Sequence, residues 1–272
     1  MNCIKTKRKE EQTKALKPPL KWAGGKRWLT SYLLPIWEEY KKCRLIEPFC
    51  GGLAITLALM PKRALLNDIN PHLINFYNWL QKGLISLLLT KNNEQTFYSH
   101  RYTFNNLIKT NKANTKEAAS LFYYLNRTGY NGLCRFNNSG EFNVPFGKYK
   151  TINYKQEFIE YKEKFKSWIF RYGDFENIVI KKGDFIYADP PYDVEFTKYS
   201  KENFRWNDQV RLVKWLSKQK CPIVISNQAT PRIVNLYKDY GFKLRYIKAP
   251  RMISCTGSRI PVREVLAIKN IA

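Results

Sequence analysis

Short apolar runs separated by glycine- or proline-bearing turns mark both ends of the chain, while its middle carries helical periodicity broken by polar residues. Residues 1–17 lack apolar periodicity and read as a solvated basic tail. Lys17-Pro18-Pro19-Leu20 is an extended lead-in, because each proline disfavours helix at the residue before it. Trp28 to Tyr40 has the amphipathic spacing of a helix. Arg44-Leu45-Ile46-Glu47 reads as a short buried strand broken by Pro48. Leu53 to Met60 reads as an apolar helix stopped by Pro61, and Ala64-Leu65-Leu66 as a second strand ending in Asn67-Asp68-Ile69-Asn70. Strand, glycine turn, helix, strand and acid make one βαβ unit.

Residues 71–128 carry helical periodicity, and a Gly/Asn-rich stretch runs from Asn126 to Tyr149. Its turn cluster Asn137-Asn138-Ser139-Gly140, set between aromatic residues, predicts a β-hairpin or an ordered loop. The α/β pattern resumes from Ile178: a strand at Phe185-Ile186-Tyr187-Ala188, a helix around Asn207 to Gln219, a strand at Ile223-Val224-Ile225, and strands near 243–247 and 265–268. The pattern predicts a parallel-sheet α/β domain over residues 18–74 and 150–272, interrupted at 75–149 by a basic, aromatic insert.

Charge sharpens this picture. The 272 residues carry 47 Lys+Arg against 22 Asp+Glu, a net charge of +25, and 44% are hydrophobic, enough to build a core. Such a surplus favours an anionic partner. The excess is concentrated: seven basic and two acidic residues in 1–21, fourteen and six in 91–172, seven and one in 241–272. Tyr, Phe, Trp and Asn interleave with these bases, which suits phosphate contacts combined with base stacking. An amphipathic membrane helix would segregate the two kinds of residue instead. No apolar run is long enough for a membrane span, and the N-terminal segment lacks the apolar core of a signal peptide. The six cysteines form no CxxC pair, which fits a reducing cytosol, and two distant histidines predict no metal site. The expected location is therefore cytoplasmic, and nothing demands more than a monomer.

Two constellations carry candidate chemistry. Cys50-Gly51-Gly52-Leu53 lies between a strand and a helix, where glycines let backbone approach a ligand, and Asp68 ends the next strand, placed to accept from a ribose diol. GxGxxG is absent, which argues against NAD and leaves other adenosine ligands open; an ordinary tight turn is the alternative. Asp189-Pro190-Pro191-Tyr192 ends an apolar strand, where open α/β sheets bind ligands. The prolines fix the backbone so that the Asp189 carboxylate and the Pro190 carbonyl can face one exocyclic amino group, beside the flat face of Tyr192. The alternative is a rigid corner with a solvated Asp. No cysteine follows a proline, which disfavours cytosine-C5 chemistry.

Lys21-Trp22-Ala23-Gly24-Gly25-Lys26, then Glu47-Pro48-Phe49-Cys50-Gly51-Gly52, then the DPPY motif at 189–192, in that order around an insert, resemble the Dam-type, α-class DNA adenine-N6 methyltransferases. The likeness runs from about Pro18 to Ile268. It implies a Rossmann-like methyltransferase sheet, mostly parallel with an antiparallel C-terminal strand. It also implies S-adenosylmethionine as cofactor, held by Trp22, Lys26, Phe49, Gly51, Gly52, Asp68, Asp174 and Asp189, with Lys26 near the methionine carboxylate and Asp174 near the adenine. Asp189, Pro190, Pro191 and Tyr192 would hold an adenine flipped from double-stranded DNA of a prokaryote or phage. Asn126 to Tyr149 is similar to the recognition hairpin of enzymes that modify GATC. On that likeness Lys21 and Arg135 read guanines, Tyr130, Asn131 and Leu133 insert beside the flipped position, Pro145 and Tyr149 contact outer bases, and Arg251 lies in a backbone-contacting loop.

Two departures stand out. Leu53 replaces a small residue of the cofactor loop and is expected to narrow the space beside the ligand. The stretch after Tyr192, Asp193-Val194-Glu195-Phe196-Thr197, is short for the lid over the target base that the resemblance implies, and its two acids are unusual beside a polyanion. The alternatives are an RNA adenine-N6 methyltransferase, which commonly starts its catalytic motif with Asn, and a non-catalytic DNA-binding protein on the same scaffold.

Overall fold

The computed structural model describes residues 16–88, 91–193, 204–249 and 262–271. Seven strands form one sheet: β1 (Arg44–Glu47), β2 (Ala64–Asp68), β3 (Trp168–Tyr172), β4 (Asp184–Ala188), β5 (Ile223–Gln228), β6 (Lys243–Ala249) and β7 (Val262–Lys269). Their order is β3-β2-β1-β4-β5-β7-β6. The first five are parallel, and β7 runs antiparallel to both β5 and β6. The expected mostly parallel sheet with an antiparallel C-terminal strand is the observed one.

The apolar runs form inner strands because both of their faces are covered. Adjacent residues point to opposite sides of a sheet. Leu45, Leu66 and Phe185 enter one core, while their neighbours Ile46, Leu65 and Ile186 enter the other. The first core continues without a break into the insert, through Phe76, Phe104, Phe122 and Phe142.

The helices are α1 (Thr30–Tyr40), α2 (Thr56–Leu59), α3 (Pro71–Gln81), α4 (Glu94–Lys109), α5 (Lys116–Thr128), α6 (Ile159–Phe165), α7 (Trp206–Ser217) and α8 (Pro231–Asp239). Asn70 caps α3 by accepting from the His72 and Leu73 amides, with Pro71 at the first turn. Among the described residues no helix is long and apolar enough to cross a membrane.

The structure corrects several boundaries. The helix expected from Trp28 begins as a 3-10 turn at Arg27–Leu29. The helix expected from Leu53 shrinks to the single turn of α2, because Leu53 (φ 60°) and Met60 (φ 45°) both hold left-handed backbone. Strand β3 and helices α6 and α8 were not foreseen. Asn126 to Thr128 ends α5, and the rest of the stretch to Tyr149 is an ordered loop rather than a ladder, closed by isolated bridges between Gly129 and Phe146 and between Phe136 and Phe142.

Candidate active site

Strand order determines where a site can form. β1 has β2 on one side and β4 on the other. The chain therefore departs in opposite directions from this pair and leaves a crevice beyond their carboxyl ends. Glu47-Pro48 leaves β1 into that crevice, and Asp189-Pro190 leaves β4.

On the β1 side, Gly51 has φ +43°, and a Cβ there would lie 2.8 Å from Trp22 Nε1. A Cβ on Gly52 would lie 2.7 Å from the Trp22 Cβ. Both glycines are thus required for Trp22 to rest on the loop. Asp68, at the end of β2, accepts from the Gly51 and Asn70 amides at 3.0 Å each. Burial pushes its carboxyl above the ordinary range. Phe49 packs against Phe175 and Phe204. Asp174 caps the short turn at Phe175–Asn177 and pairs with Arg211 at 2.8 Å. Partial burial opposes its ionisation, but the Arg211 hydrogen bond and the Glu176 amide outweigh it and hold the carboxyl low. Leu53 is fully buried in the core, so its side chain fills the interior rather than narrowing the crevice.

On the β4 side, Asp189 Oδ1 is held twice, by Ser226 Oγ at 3.0 Å and by Lys26 Nζ at 2.7 Å. Ser226 is itself bonded to the Tyr187 hydroxyl at 2.9 Å. Both contacts to Asp189 fall on Oδ1, and among the described residues nothing donates to Asp189 Oδ2 or to the Pro190 carbonyl, which leaves two acceptors open on successive residues. Gln209 fixes the Pro191 carbonyl at 2.7 Å. The Tyr192 hydroxyl donates to Glu264 on β7, and its ring lies 4.6 Å from Lys26 Nζ. Burial, then the neighbouring Glu264, drives the Tyr192 phenol far above its ordinary range. Lys26 is 3% exposed and faces Asp189 and Glu264 by charge, with no hydrogen bond of good geometry. A buried ammonium with donors to spare, next to a glycine loop, suits a ligand carboxylate.

Glu47 adds a third carboxyl at this edge. Burial first, with Asp189 nearby adding to it, raises it from 4.5 to about 8, against a 2.6 Å hydrogen bond from Thr56 Oγ1. At neutral pH it is largely the neutral acid.

The expected recognition residues gather around Lys21. Its amide donates to Asn126 Oδ1 at 2.9 Å, and its carbonyl accepts from Asn126 Nδ2 at 2.7 Å. Its Nζ donates to the Arg127 carbonyl and sits 3.5 Å from the Tyr149 ring centroid. Burial, then Arg127, lowers its pKa. Gly132 (φ +64°) is needed because a Cβ would fall 2.4 Å from the Lys21 Cβ. Tyr130 is half exposed, and its amide donates to the Pro145 carbonyl at 2.9 Å. Asn131 is exposed with left-handed backbone, and Leu133 is half-buried. Arg135 is braced by Asn143 at 2.8 Å through Nε and 3.2 Å through Nη2, leaving its outer edge to solvent. Lys21 therefore meets Tyr149, and Tyr130 meets Pro145, with Arg135 further along the same loop. Arg251 and Glu195 lie outside the described residues.

Asp193 does not face outward. It is buried and paired through both oxygens with Arg232 of α8, whose guanidinium lies 5.0 Å from the Trp206 ring. This acid is a staple just after the DPPY sequence.

Sequence reasoning missed Glu264, Ser226 and Gln209, and quoted Glu47 without a role. For Glu264 a signal existed: it is the one acid in the basic stretch 241–272.

A family model described as "D12 class N6 adenine-specific DNA methyltransferase" matches residues 22–253. The "Retron Ec67 DNA adenine methylase" of Escherichia coli is 35% identical, over 92% of this chain and 90% of that protein. The "DNA adenine methylase" of Haemophilus influenzae is 36% identical, over 93% of each. The "DNA N-6-adenine-methyltransferase" of Escherichia phage P1 is 36% identical over 91% of this chain, which spans 35% of that longer relative.

Proposed function

Since the chain belongs to the D12 class of N6 adenine-specific DNA methyltransferases, we propose that it transfers a methyl group from S-adenosylmethionine to an adenine flipped out of duplex DNA, within GATC. The carrying observation is the pair of open acceptors at Asp189 Oδ2 and the Pro190 carbonyl, beside the Tyr192 ring. An exocyclic amino group has two hydrogens to donate, and these acceptors offer both a place.

The residues present fit the cofactor. Lys26 would meet its carboxylate with the donors that the two acids leave unused, Asp68 its ribose, and Phe49, Gly51, Gly52 and Asp174 its adenosine side, with Trp22 packed behind the glycines. When bound, S-adenosylmethionine supplies a methyl group on a positively charged sulfonium.

The chain's own residues do the rest. Rotating an adenine out of the stack costs a few kcal/mol, which Tyr192 offsets by stacking on the extruded base. Hydrogen bonds from N6 to Asp189 and Pro190 draw its lone pair out of the ring and aim it along the line of transfer. Lys21 and Arg135 supply cationic donors for guanine edges, Arg135 in the bidentate geometry. Tyr130, Asn131 and Leu133 occupy the gap left in the duplex, and Pro145, Tyr149 and Arg251 complete the contact. The +25 charge favours the polyanion throughout.

The test is to incubate the purified protein with unmethylated duplex DNA and labelled S-adenosylmethionine, then map modified bases by sequencing. N6-methyladenine confined to GATC supports the whole reading. Methyladenine at another sequence keeps the chemistry and overturns the recognition assignment. Methylation of structured RNA in place of DNA overturns the substrate.

A further inference from the structure

Glu264 is a buried acid that the methyl-transfer scheme above does not use. It lies on β7, in register with Gln228 of β5 and Ile247 of β6, and is 3% exposed. One oxygen accepts the Tyr192 hydroxyl. The other stands 3.1 Å from Lys26 Nζ, without a hydrogen bond. An ionised carboxylate in such a place is unfavourable unless it is paired. Its two oxygens face the two residues that flank the open acceptors.

We propose that Glu264 is a positioning residue for methyl transfer: it fixes the Tyr192 ring for stacking on the target base and shares Lys26 with Asp189. The inference rests on the adenine-methylation reading above.

Two physical effects follow. Tyr192 is held at its backbone, where Gln209 fixes the preceding carbonyl, and at its hydroxyl by Glu264. Losing the second anchor frees the ring to turn about its side-chain bonds, and a base stacked on it loses its alignment. Lys26 stands 2.7 Å from Asp189 and 3.1 Å from Glu264. Removing the Glu264 charge leaves Asp189 as its sole close counter-ion among the described residues and draws Lys26 further onto the carboxylate that must receive the amino group. The hold of Lys26 on a cofactor carboxylate should not weaken, because one of its two competing acids is gone and the closer pairing with Asp189 uses one donor of three.

The decisive comparison is the wild type against Glu264→Leu, which removes both the charge and the acceptor, Tyr192→Phe and the double variant. Three quantities are read: the single-turnover rate at saturating DNA and cofactor, cofactor Kd by calorimetry, and DNA Kd. The expected result is a rate loss of about tenfold in Glu264→Leu with cofactor Kd unchanged or tighter, the pattern of an interaction used in the transition state. Tyr192→Phe removes only the hydroxyl, so its loss should not add to that of Glu264→Leu in the double variant. It also reads the same contact if Glu264→Leu fails to fold. An unchanged rate, or a cofactor Kd that weakens in step with the rate, overturns the positioning role. Fully additive losses overturn the route through Tyr192. If the wild type methylates no duplex adenine, the underlying reading fails, and the inference with it.

Discussion

Replacing Glu47 by Gln should change how stability depends on pH, by an amount set by the structure. Glu47 ends β1 with its carboxyl fully enclosed, accepting from Thr56 Oγ1 at 2.6 Å. Burial, with Asp189 adding to it, raises its pKa from 4.5 to about 8. Between those values the folded chain keeps a proton that the unfolded chain releases, so stability falls as pH rises. The contribution is fully present below pH 4.5, is lost progressively through the interval, and levels off above about pH 8. At about 1.4 kcal/mol per pH unit, the interval is worth about 5 kcal/mol.

Gln keeps the shape and an acceptor for Thr56 but cannot ionise, so Glu47→Gln should lack this part of the pH dependence. The assay is urea unfolding of both proteins from pH 5 to pH 9, comparing the difference in unfolding free energy at each pH. Groups common to both chains cancel in that difference. The difference should swing toward the variant with rising pH, by several kcal/mol across the range. Parallel curves, with no swing, would refute the reasoning, because they would mean that Glu47 ionises as readily folded as unfolded.

Four further outcomes follow from the site. Asp189→Ala removes one of the two open acceptors and should lower the methyl-transfer rate by about 10²–10³-fold with the thermal transition retained; substantial residual activity in a folded variant removes Asp189 from catalysis. Arg135→Ala should reduce discrimination at one base pair by about 1–3 kcal/mol, read from competition between cognate and singly altered duplexes; equal losses on all sequences would make Arg135 a phosphate contact. Gly52→Ala sets a methyl 2.7 Å from the Trp22 Cβ and should weaken cofactor binding in calorimetry; unchanged affinity would show that the seat of Trp22 does not shape the pocket. Arg232→Ala strands the buried Asp193 carboxylate and should cost about 2 kcal/mol of stability, reduced from a fully buried pair because the arginine is half exposed; chemical unfolding measures it.

What the sequence made legible follows from burial. β1, β4 and β5 stood out because covering both faces of a parallel strand demands unbroken apolar runs. β3 did not, although Trp168-Ile169-Phe170 is an apolar run, because Arg171 breaks the run after three residues and a lysine-rich helix precedes it; as the edge of the sheet it leaves Ile169 and Tyr172 exposed. α8 carried a usable signal, Thr230 as cap before Pro231 at the first turn, which its polar surface obscured. The over-long helix after the glycine loop failed because apolar composition cannot report the left-handed backbone at Leu53 and Met60. The motif residues were legible as local words. Their partners were not, since Ser226 reaches Asp189 through the pairing of β4 with β5, and Glu264 reaches Tyr192 through the further pairing of β5 with β7.

One short segment joins what these words describe. Lys21 is tied by its backbone to Asn126 and packs against Gly132 in the Gly/Asn-rich loop. Trp22, the next residue, rests on Gly51 and Gly52. Lys26 reaches Asp189 and Glu264, and Leu29 is fully buried in the core. Within nine residues the chain touches that loop, the glycine turn after β1, and the carboxylates at the end of β4 and on β7, in that order. Lys21 and Lys26 are thus fixed on either side of Trp22 by separate elements, so a shift of the glycine turn against Trp22 bears on both through covalent continuity rather than through a chain of side-chain contacts.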